Sequence, residues 1–339
     1  MAKRGVVLGG GGLVGMGYLA GALKALDERG VDLAGAEVLI GTSAGSVLAA
    51  YLGAGWTQSD FYEYAHGRHP QAERTPEGEQ DEVRRLFDPL WHNRAERARR
   101  AVGSFFALAS SRGYWRGGTR GRSPAATLRR VFPAGMYSTS RTRERLWDDL
   151  PEEWPRAGLF ICAADLYSGK RVVFGRAGEP EAPLPEAVLA STAIPGMFPP
   201  VRIGDKHYVD GGVVSATSLD LAVEAGCETI LCVAPLGYRS EGEVVIRDPK
   251  LWSAMLMRQL FARSLAREVR AARARGVEVL VIRPWLTELR AQGTNSMRHY
   301  DRVAVTDAAR DGTLRFLDAH EDHPVTAAFA ARSGKKRAV

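Results

Sequence analysis

A serine stands at the centre of the sequence Gly-Thr-Ser-Ala-Gly at residues 41–45, directly after the apolar run Val-Leu-Ile at residues 38–40. Four apolar residues share one face of the helix predicted to follow: Val47, Leu48, Tyr51 and Leu52. A G-x-S-x-G sequence between a strand and a helix is typical of a nucleophilic serine, because its glycines relieve crowding around a strained residue. We expect Ser43 to be a nucleophile, and a plain strand-to-helix turn is the alternative.

A serine hydroxyl needs a base to take its proton, and histidine is the usual partner. None of the seven histidines stands at a glycine-flanked strand end that a helix follows. Asp210 does, because it closes a short predicted strand and is followed by Gly211 and Gly212. Asp210 is therefore a candidate base, although an ordinary Asp-Gly turn is the favoured interpretation of this segment on its own.

A glycine run occupies residues 9–15, with the sequence GGGGLVG, between a predicted strand and a predicted helix. Its spacing fits the G-x-G-x-x-G motif of dinucleotide sites, but such a site also needs an acid after the second strand, where Gly41 and Thr42 stand. Residues without Cβ also let successive amides point at one anion beside a helix N-terminus. The run therefore fits an oxyanion hole, and a tight glycine turn that only packs is the alternative.

Composition places the 339-residue chain among ordinary globular proteins, with 45% apolar and 25% charged residues. No apolar run approaches 18 residues, and the first residues lack the apolar core of a signal peptide. Three cysteines without such a peptide argue against a disulfide framework. We therefore expect a cytoplasmic protein. Zinc and calcium motifs are absent from the sequence, so no metal or other cofactor is expected.

Apolar runs and helical patterns alternate along most of the chain, which favours an α/β fold with a mostly parallel sheet covered by helices. The predicted strands are residues 5–8, 38–40, 159–163, 171–174, 206–210, 229–233 and 277–282. Helices are predicted near residues 19–29, 44–52, 219–225, 251–274 and 302–317. We expect a single domain over residues 1–325.

Residues 56–155 interrupt this alternation and are predicted to form a helical insertion or cap. Within them, residues 84–130 hold twelve arginines and two acidic residues and therefore carry a net charge of +10. The remaining residues carry −3, which gives the chain its net charge of +7. The arginines accompany no nucleic-acid motif, so nucleic acid is not an expected partner. Residues 326–339 are predicted to be a disordered basic tail.

Four sequence blocks together resemble patatin-like phospholipases in order and approximate spacing. They are the glycine run, the serine motif at 41–45, ASTAIPGMFPP at 190–200 and Asp-Gly-Gly at 210–212. The resemblance implies a three-layer sandwich and a Ser-Asp dyad without histidine, with Ser43 as nucleophile and Asp210 as base. It also implies that the amides of Gly10, Gly11 and Gly12 form the oxyanion hole. It further implies a serine hydrolase that cleaves acyl esters of lipids or phospholipids.

Two positions depart from the family pattern. Val14 stands where the family usually has Lys or Arg, and residues 215–218 are Ser-Ala-Thr-Ser where the family has Asn-Asn-Leu-Pro. Losing a cation near the site weakens the case for a phosphate-bearing substrate, so acyl ester hydrolysis is the safer interpretation. An acyltransferase or non-lipid esterase with the same dyad, and a binding protein without turnover, are the alternatives.

A short apolar stretch with two phenylalanines lies between arginines at residues 99–116. One interpretation is peripheral contact with an anionic membrane surface. The other is that Phe105, Phe106 and Leu108 pack the cap onto the sheet. The sequence indicates neither the oligomeric state nor the head group, chain length or position that the enzyme would prefer.

Overall fold

The computed structural model describes residues 2–72, 87–112, 134–239, 249–293, 297 and 301–330, without the side chains of residues 106–112, 249–254, 256–257 and 286. The strands are β1 (Arg4–Leu8), β2 (Val38–Thr42), β3 (Leu159–Asp165), β4 (Arg171–Phe174), β5 (Val201–Ile203), β6 (Lys206–Asp210), β7 (Thr229–Val233) and β8 (Glu278–Ile282). The helices are α1 (Gly12–Glu28), α2 (Ala44–Gly53), α3 (Asp60–Ala65), α4 (Arg94–Arg112), α5 (Ser140–Asp149), α6 (Leu184–Thr192), α7 (Asp220–Glu224), α8 (Pro249–Arg273), α9 (Leu286–Gln292), α10 (Arg302–Asp318) and α11 (Pro324–Ala328).

The strands of the described residues form one sheet in the order β5-β6-β3-β2-β1-β7-β8, with β4 paired to β3. Pairs from β3 through β2, β1 and β7 to β8 are parallel, whereas β4, β5 and β6 add antiparallel pairs at the β3 end. The predicted mostly parallel sheet with flanking helices is therefore confirmed.

The sheet is buried on both faces. In β1, Val6 and Leu8 pack into the apolar cluster that α1, α2 and α10 share, while Val7 packs into a second cluster with residues of α7 and α8. All three side chains have no solvent exposure, which explains why this strand is a continuous apolar run without polar alternation. This arrangement of helix layers on the two faces is the three-layer sandwich expected from the sequence.

Strands β2 and β6 meet end to end along one edge of β3. Thr42 at the end of β2 lies opposite Cys162, and Asp210 at the end of β6 lies opposite Ala163, the next residue of β3. Strand β4 pairs with both of these β3 residues on the other edge. Because β2 runs parallel and β6 antiparallel to β3, their carboxyl ends point toward each other. The sheet itself thus brings the residue after Thr42 next to Asp210.

The predicted insertion, residues 56–155, contributes α3, α4 and α5, and in its described part Pro89 forms a bridge with Tyr137. Its residues 73–86 and 113–133 lie outside the described part of the chain. Its role as an insertion or cap stays a prediction. No helix among the described residues is long and apolar enough to cross a membrane.

The prediction of a disordered tail from residue 326 is wrong for its first five residues. Residues 326–328 belong to α11, and Ala330 bridges Val31. Phe329 is fully buried in the main apolar cluster, and this burial holds residues 326–330 against the core. Residues 331–339, with the basic residues, lie outside the described part of the chain.

Candidate active site

Ser43 occupies a strained turn between β2 and α2, with φ of 53° and ψ of −123°. Such a left-handed backbone is uncommon for a residue with a side chain, and it persists only where its surroundings enforce it. The neighbouring glycines permit the turn, because a Cβ at Gly45 would lie 2.0 Å from the Leu8 carbonyl oxygen. A Cβ at Gly41 would lie 2.5 Å from Cα of Ser46. The tight turn predicted from the sequence therefore follows from close backbone approach on both sides of Ser43.

The Ser43 hydroxyl donates a hydrogen bond of 2.6 Å to Oδ2 of Asp210, 167 residues further along the chain. Both residues are nearly buried, with 6% and 5% of their surfaces exposed. The other carboxyl oxygen of Asp210, Oδ1, accepts a hydrogen bond of 2.7 Å from the Gly212 amide. The structure therefore brings together the two residues that the sequence singled out as nucleophile and base.

Burial raises the pKa of Asp210 from its ordinary value of 3.8 to about 6, because a buried charge loses its hydration. Hydrogen bonds from Ser43 and Gly212 favour the ionised form and offset part of that rise. A carboxyl group with this pKa is ionised near neutral pH and is more basic than a solvated aspartate. Among the described residues, no histidine forms a hydrogen bond with Ser43 or Asp210; His299 lies outside them.

Ser191 is a residue of the site that the sequence analysis did not single out. Its hydroxyl accepts a hydrogen bond of 2.9 Å from the Ser43 amide and donates one of 2.6 Å to the Cys162 carbonyl. It thus links the turn at Ser43 to β3, at the point where the pairing of β2 ends. Ser191 belongs to the 190–200 block, but its role depends on how α6 packs against β3, which the sequence does not indicate.

The glycine run lies against Ser43, since a Cβ at Gly10 would lie 3.1 Å from Cβ of Ser43. The Gly10 amide donates to the Ala216 carbonyl at 2.8 Å and is therefore already paired, unlike the free donor expected from the sequence. The amides of Gly11 and Gly12 have no acceptor among the described residues. Gly12 adopts a φ of 64° and opens α1, whose N-terminus carries the positive end of the helix dipole.

A cavity of about 380 Å³ extends from Ser43 and Gly12 between α1 and α2 toward α3 and α5. This volume lies within the range of small-molecule sites, which is about 300 to 1,000 Å³. Its walls are mainly apolar and aromatic, and include Met16, Val47, Leu48, Trp56, Phe61 and Phe198. Arg141, Arg145 and Arg302 also line it. Ser43 therefore lies on the wall of a predominantly apolar cavity.

Residues 6–223 match the family model described as patatin-like phospholipase. This segment is well over half of the chain, and it includes both Ser43 and Asp210. The chain belongs to the patatin-like phospholipase family. The resemblance inferred from the four sequence blocks is thereby confirmed. The remaining residues, which include α8 to α11, lie beyond the part that the patatin-like model matches.

Curated relatives of this patatin-like chain include an uncharacterized NTE family protein of Mycobacterium bovis, 27% identical over 274 residues. The match covers 79% of this chain and 59% of that protein. The uncharacterized protein YqhO of Bacillus subtilis is 27% identical over 219 residues, which cover 62% of this chain and 63% of YqhO. The chain therefore matches less than two thirds of the length of each.

Solved structures similar to this patatin-like chain include VipD from Legionella pneumophila, with a TM-score of 0.44 and 17% identity. That match covers 94% of this chain and 67% of VipD. The heterodimeric ExoU-SpcU complex from the type III secretion system of Pseudomonas aeruginosa gives a TM-score of 0.37 and 17% identity. Here the match covers 94% of this chain and 51% of the other.

Proposed function

We propose that this protein is a serine hydrolase that cleaves acyl esters of lipids, with Ser43 as nucleophile and Asp210 as base. The observation that carries the proposal is the 2.6 Å hydrogen bond between the Ser43 hydroxyl and the Asp210 carboxylate beside an apolar cavity. Membership of the patatin-like phospholipase family supports a lipid substrate.

The reaction begins when Oγ of Ser43 attacks the ester carbonyl carbon and its proton passes to Oδ2 of Asp210. The carbonyl π electrons move to the oxygen, which becomes an oxyanion. When the tetrahedral intermediate collapses, the C–O bond to the alcohol breaks and Asp210 returns the proton to that alcohol. A water molecule then attacks the carbonyl carbon of the acyl-serine while Asp210 accepts its proton. The bond between that carbon and Oγ breaks, and Asp210 returns the proton to Oγ. The products are a free acid, the alcohol and unmodified Ser43.

The oxyanion is assigned to the amides of Gly11 and Gly12. These two groups have no acceptor within the described residues, and they lie at the N-terminus of α1, where the helix dipole favours negative charge. Fixed donors of this kind stabilise the transition state because they need no reorganisation during the reaction. Gly10 has a different part in this proposal: its paired amide anchors the loop.

The acyl chain of the substrate is assigned to the cavity, because its apolar walls match a hydrocarbon chain. Val14, which stands where the family usually has a cation, is buried with 2% exposure. The glycine loop therefore offers no side-chain charge at that position to a phosphate group. This supports hydrolysis of an acyl ester as the proposed reaction, and no head group is assigned.

The decisive experiment compares the wild type with Ser43→Ala on a mixed lipid panel and identifies the products by mass spectrometry. Free fatty acid should appear with the wild type alone, because Ser43→Ala lacks the nucleophile; losses of at least about a thousandfold are typical. Equal fatty acid release by both proteins contradicts the dyad. Transfer of the acyl group to an added alcohol, rather than its release as free fatty acid, would instead identify an acyltransferase.

The assignment of the cavity has its own test. Val47 lies on α2 one turn after Ser43 and lines the cavity, so Val47→Trp should fill part of the space for the acyl chain. Hydrolysis of long-chain esters should fall much more than hydrolysis of acetyl esters, and Val47→Ala serves as the size control. An equal loss on both ester classes would contradict the placement of the chain.

We also propose that α4 contacts anionic membrane surfaces. Phe105 is 67% exposed and Val102 is 40% exposed, and the same helix presents the exposed arginines Arg94, Arg97 and Arg99. An apolar patch with flanking cations favours reversible binding at an anionic bilayer, with each cation contributing about 1 kcal/mol. The exposure of Phe105 argues against the alternative that this residue packs as core, whereas the side chains of Phe106 and Leu108 lie outside the described ones.

Helix α4 also lies close to the cavity. Ser104 Oγ accepts a hydrogen bond of 3.1 Å from the Gly135 amide, and Met136 donates to the Met197 carbonyl beside Phe198, which lines the cavity.

Membrane binding is tested by flotation of the protein with liposomes. Flotation should require anionic liposomes and should weaken both at high salt and in Phe105→Asp. Equal flotation with neutral liposomes, or none by the wild type, contradicts this contact. Residues 113–116, which belong to the predicted segment, lie outside the described residues.

A further inference from the structure

The loop after Asp210 is fastened by a carboxylate from a distant helix. Glu268 on α8 accepts a hydrogen bond of 2.6 Å from the Ser215 hydroxyl on Oε1. On Oε2 it accepts one of 2.8 Å from the Thr217 hydroxyl and one of 3.1 Å from the Leu219 amide. One side chain thus receives three donors from five consecutive residues.

This loop has a shape that needs support from outside. Ser218 has a φ of 54°, in the left-handed region that residues other than glycine seldom adopt. The Ser215 oxygen also accepts hydrogen bonds from the amides of Thr217 and Ser218, at 3.3 and 2.8 Å. The Ser215 hydroxyl donates its own hydrogen bond to Glu268, so Glu268 fixes the orientation of the hydroxyl around which the loop is folded.

The same loop holds the glycine run in place. The carbonyl of Ala216, between the two hydroxyl residues that Glu268 binds, accepts the hydrogen bond of 2.8 Å from the Gly10 amide. Gly10 lies against Ser43 and immediately precedes the two amides assigned to the oxyanion. A continuous series of contacts therefore joins Glu268 to the oxyanion donors through Ala216.

We propose that Glu268 is a positioning residue of the oxyanion hole, acting through Ser215, Thr217 and the Ala216 carbonyl. This inference rests on the proposed function of Gly11 and Gly12. Glu268 lies outside residues 6–223, so the part of the chain beyond the family match contributes to the geometry of the site. It also gives a role to residues 215–218, the segment that departs from the family sequence.

The first test measures kcat and KM for Glu268→Ala and Glu268→Gln, with kcat expressed per site titrated by a fluorophosphonate. Displacing catalytic groups by about 1 Å can cost about a hundredfold, so Glu268→Ala should lose roughly tenfold to a hundredfold in kcat with little change in KM. Glu268→Gln should lose less, because its amide oxygen can still accept from Thr217 and Leu219. Arg267→Gln, an exposed neighbour on α8, is the control and should match the wild type.

The second test measures amide hydrogen exchange over residues 9–16, and it does not depend on catalysis. Glu268→Ala should speed exchange there, because the Gly10 amide loses a fixed acceptor, while Arg267→Gln should not. If Glu268→Ala exchanges its amides over residues 9–16 at the wild-type rate, or raises KM while kcat stays unchanged, the positioning role of Glu268 is overturned. A wild type that hydrolyses no ester overturns the proposed function instead, and the exchange result still decides whether Glu268 holds the glycine run.

Discussion

Replacing Asp210 by asparagine should abolish hydrolysis and at the same time stabilise the fold. Asparagine has nearly the same shape, can accept the hydrogen bond from Gly212 through its oxygen and can donate to the Ser43 oxygen through its nitrogen. It cannot accept the proton of Ser43, so turnover should stop. It also carries no charge, so the folded protein no longer holds an ionised carboxylate in a buried position.

The size and pH range of the stabilisation follow from the pKa of Asp210. The pKa rises from 3.8 to about 6 on folding, and each pH unit corresponds to about 1.36 kcal/mol, so the ionised group costs about 3 kcal/mol. Well below pH 3.8 both states of the wild type are protonated and the cost is absent, and near pH 4 it is still small. The cost grows as the pH rises toward about 6 and is constant above that value. Asp210→Asn should therefore gain stability only as the pH increases.

The assay is urea unfolding of the wild type and Asp210→Asn at pH 4 and at pH 8. The two free energies of unfolding should be similar at pH 4, and the variant should be more stable by about 3 kcal/mol at pH 8. Asp148→Asn, at an exposed position on α5, controls for the loss of one negative charge. Equal stability of the Asp210 variant and the wild type at both pH values would refute the assigned cause of the pKa shift.

Three further results are expected. The wild-type kcat/KM should fall below about pH 6, because Asp210 must be ionised to accept a proton; a flat profile from about pH 5 to 7 contradicts this. Gly12→Ala should lower kcat by roughly a hundredfold to a thousandfold with a smaller effect on KM, because a Cβ at φ 64° displaces an oxyanion donor; an unchanged kcat excludes Gly12. Phe329→Ala should lower the free energy of unfolding by about 3 to 5 kcal/mol in urea, since the side chain is fully buried; an unchanged midpoint refutes its packing role.

The strands of the parallel part of the sheet were predictable because strands buried on both faces form continuous apolar runs. β5 was not predicted, because it has only three residues and exposes Arg202. The start of the expected tail shows a second difficulty. The segment around Phe329 is short and consists mainly of alanines, which give no clear pattern, and only the burial of Phe329 in the core reveals that the segment packs there.

Within the site, Ser43 and Asp210 were predictable because local constraints mark them: each stands at a strand end among glycines. The contributions of Ser191 and Glu268 depend on helices that pack from elsewhere in the chain, so no local pattern reveals them. The same applies to Gly10, whose amide is occupied by a carbonyl from another loop. Sequence motifs thus indicate which residues meet at the site, whereas long-range packing determines how their neighbours hold them.

The end-to-end meeting of β2 and β6 has a consequence for when activity arises during synthesis. Ser43 precedes Asp210 by 167 residues, and at about 5 to 20 residues per second the ribosome needs roughly 8 to 30 s to make that stretch. During that interval the nascent chain carries Ser43 without Asp210. Under the proposed function, hydrolysis can begin only after β6 has emerged and paired with β3, so the order of translation would delay that activity until most of the sheet exists.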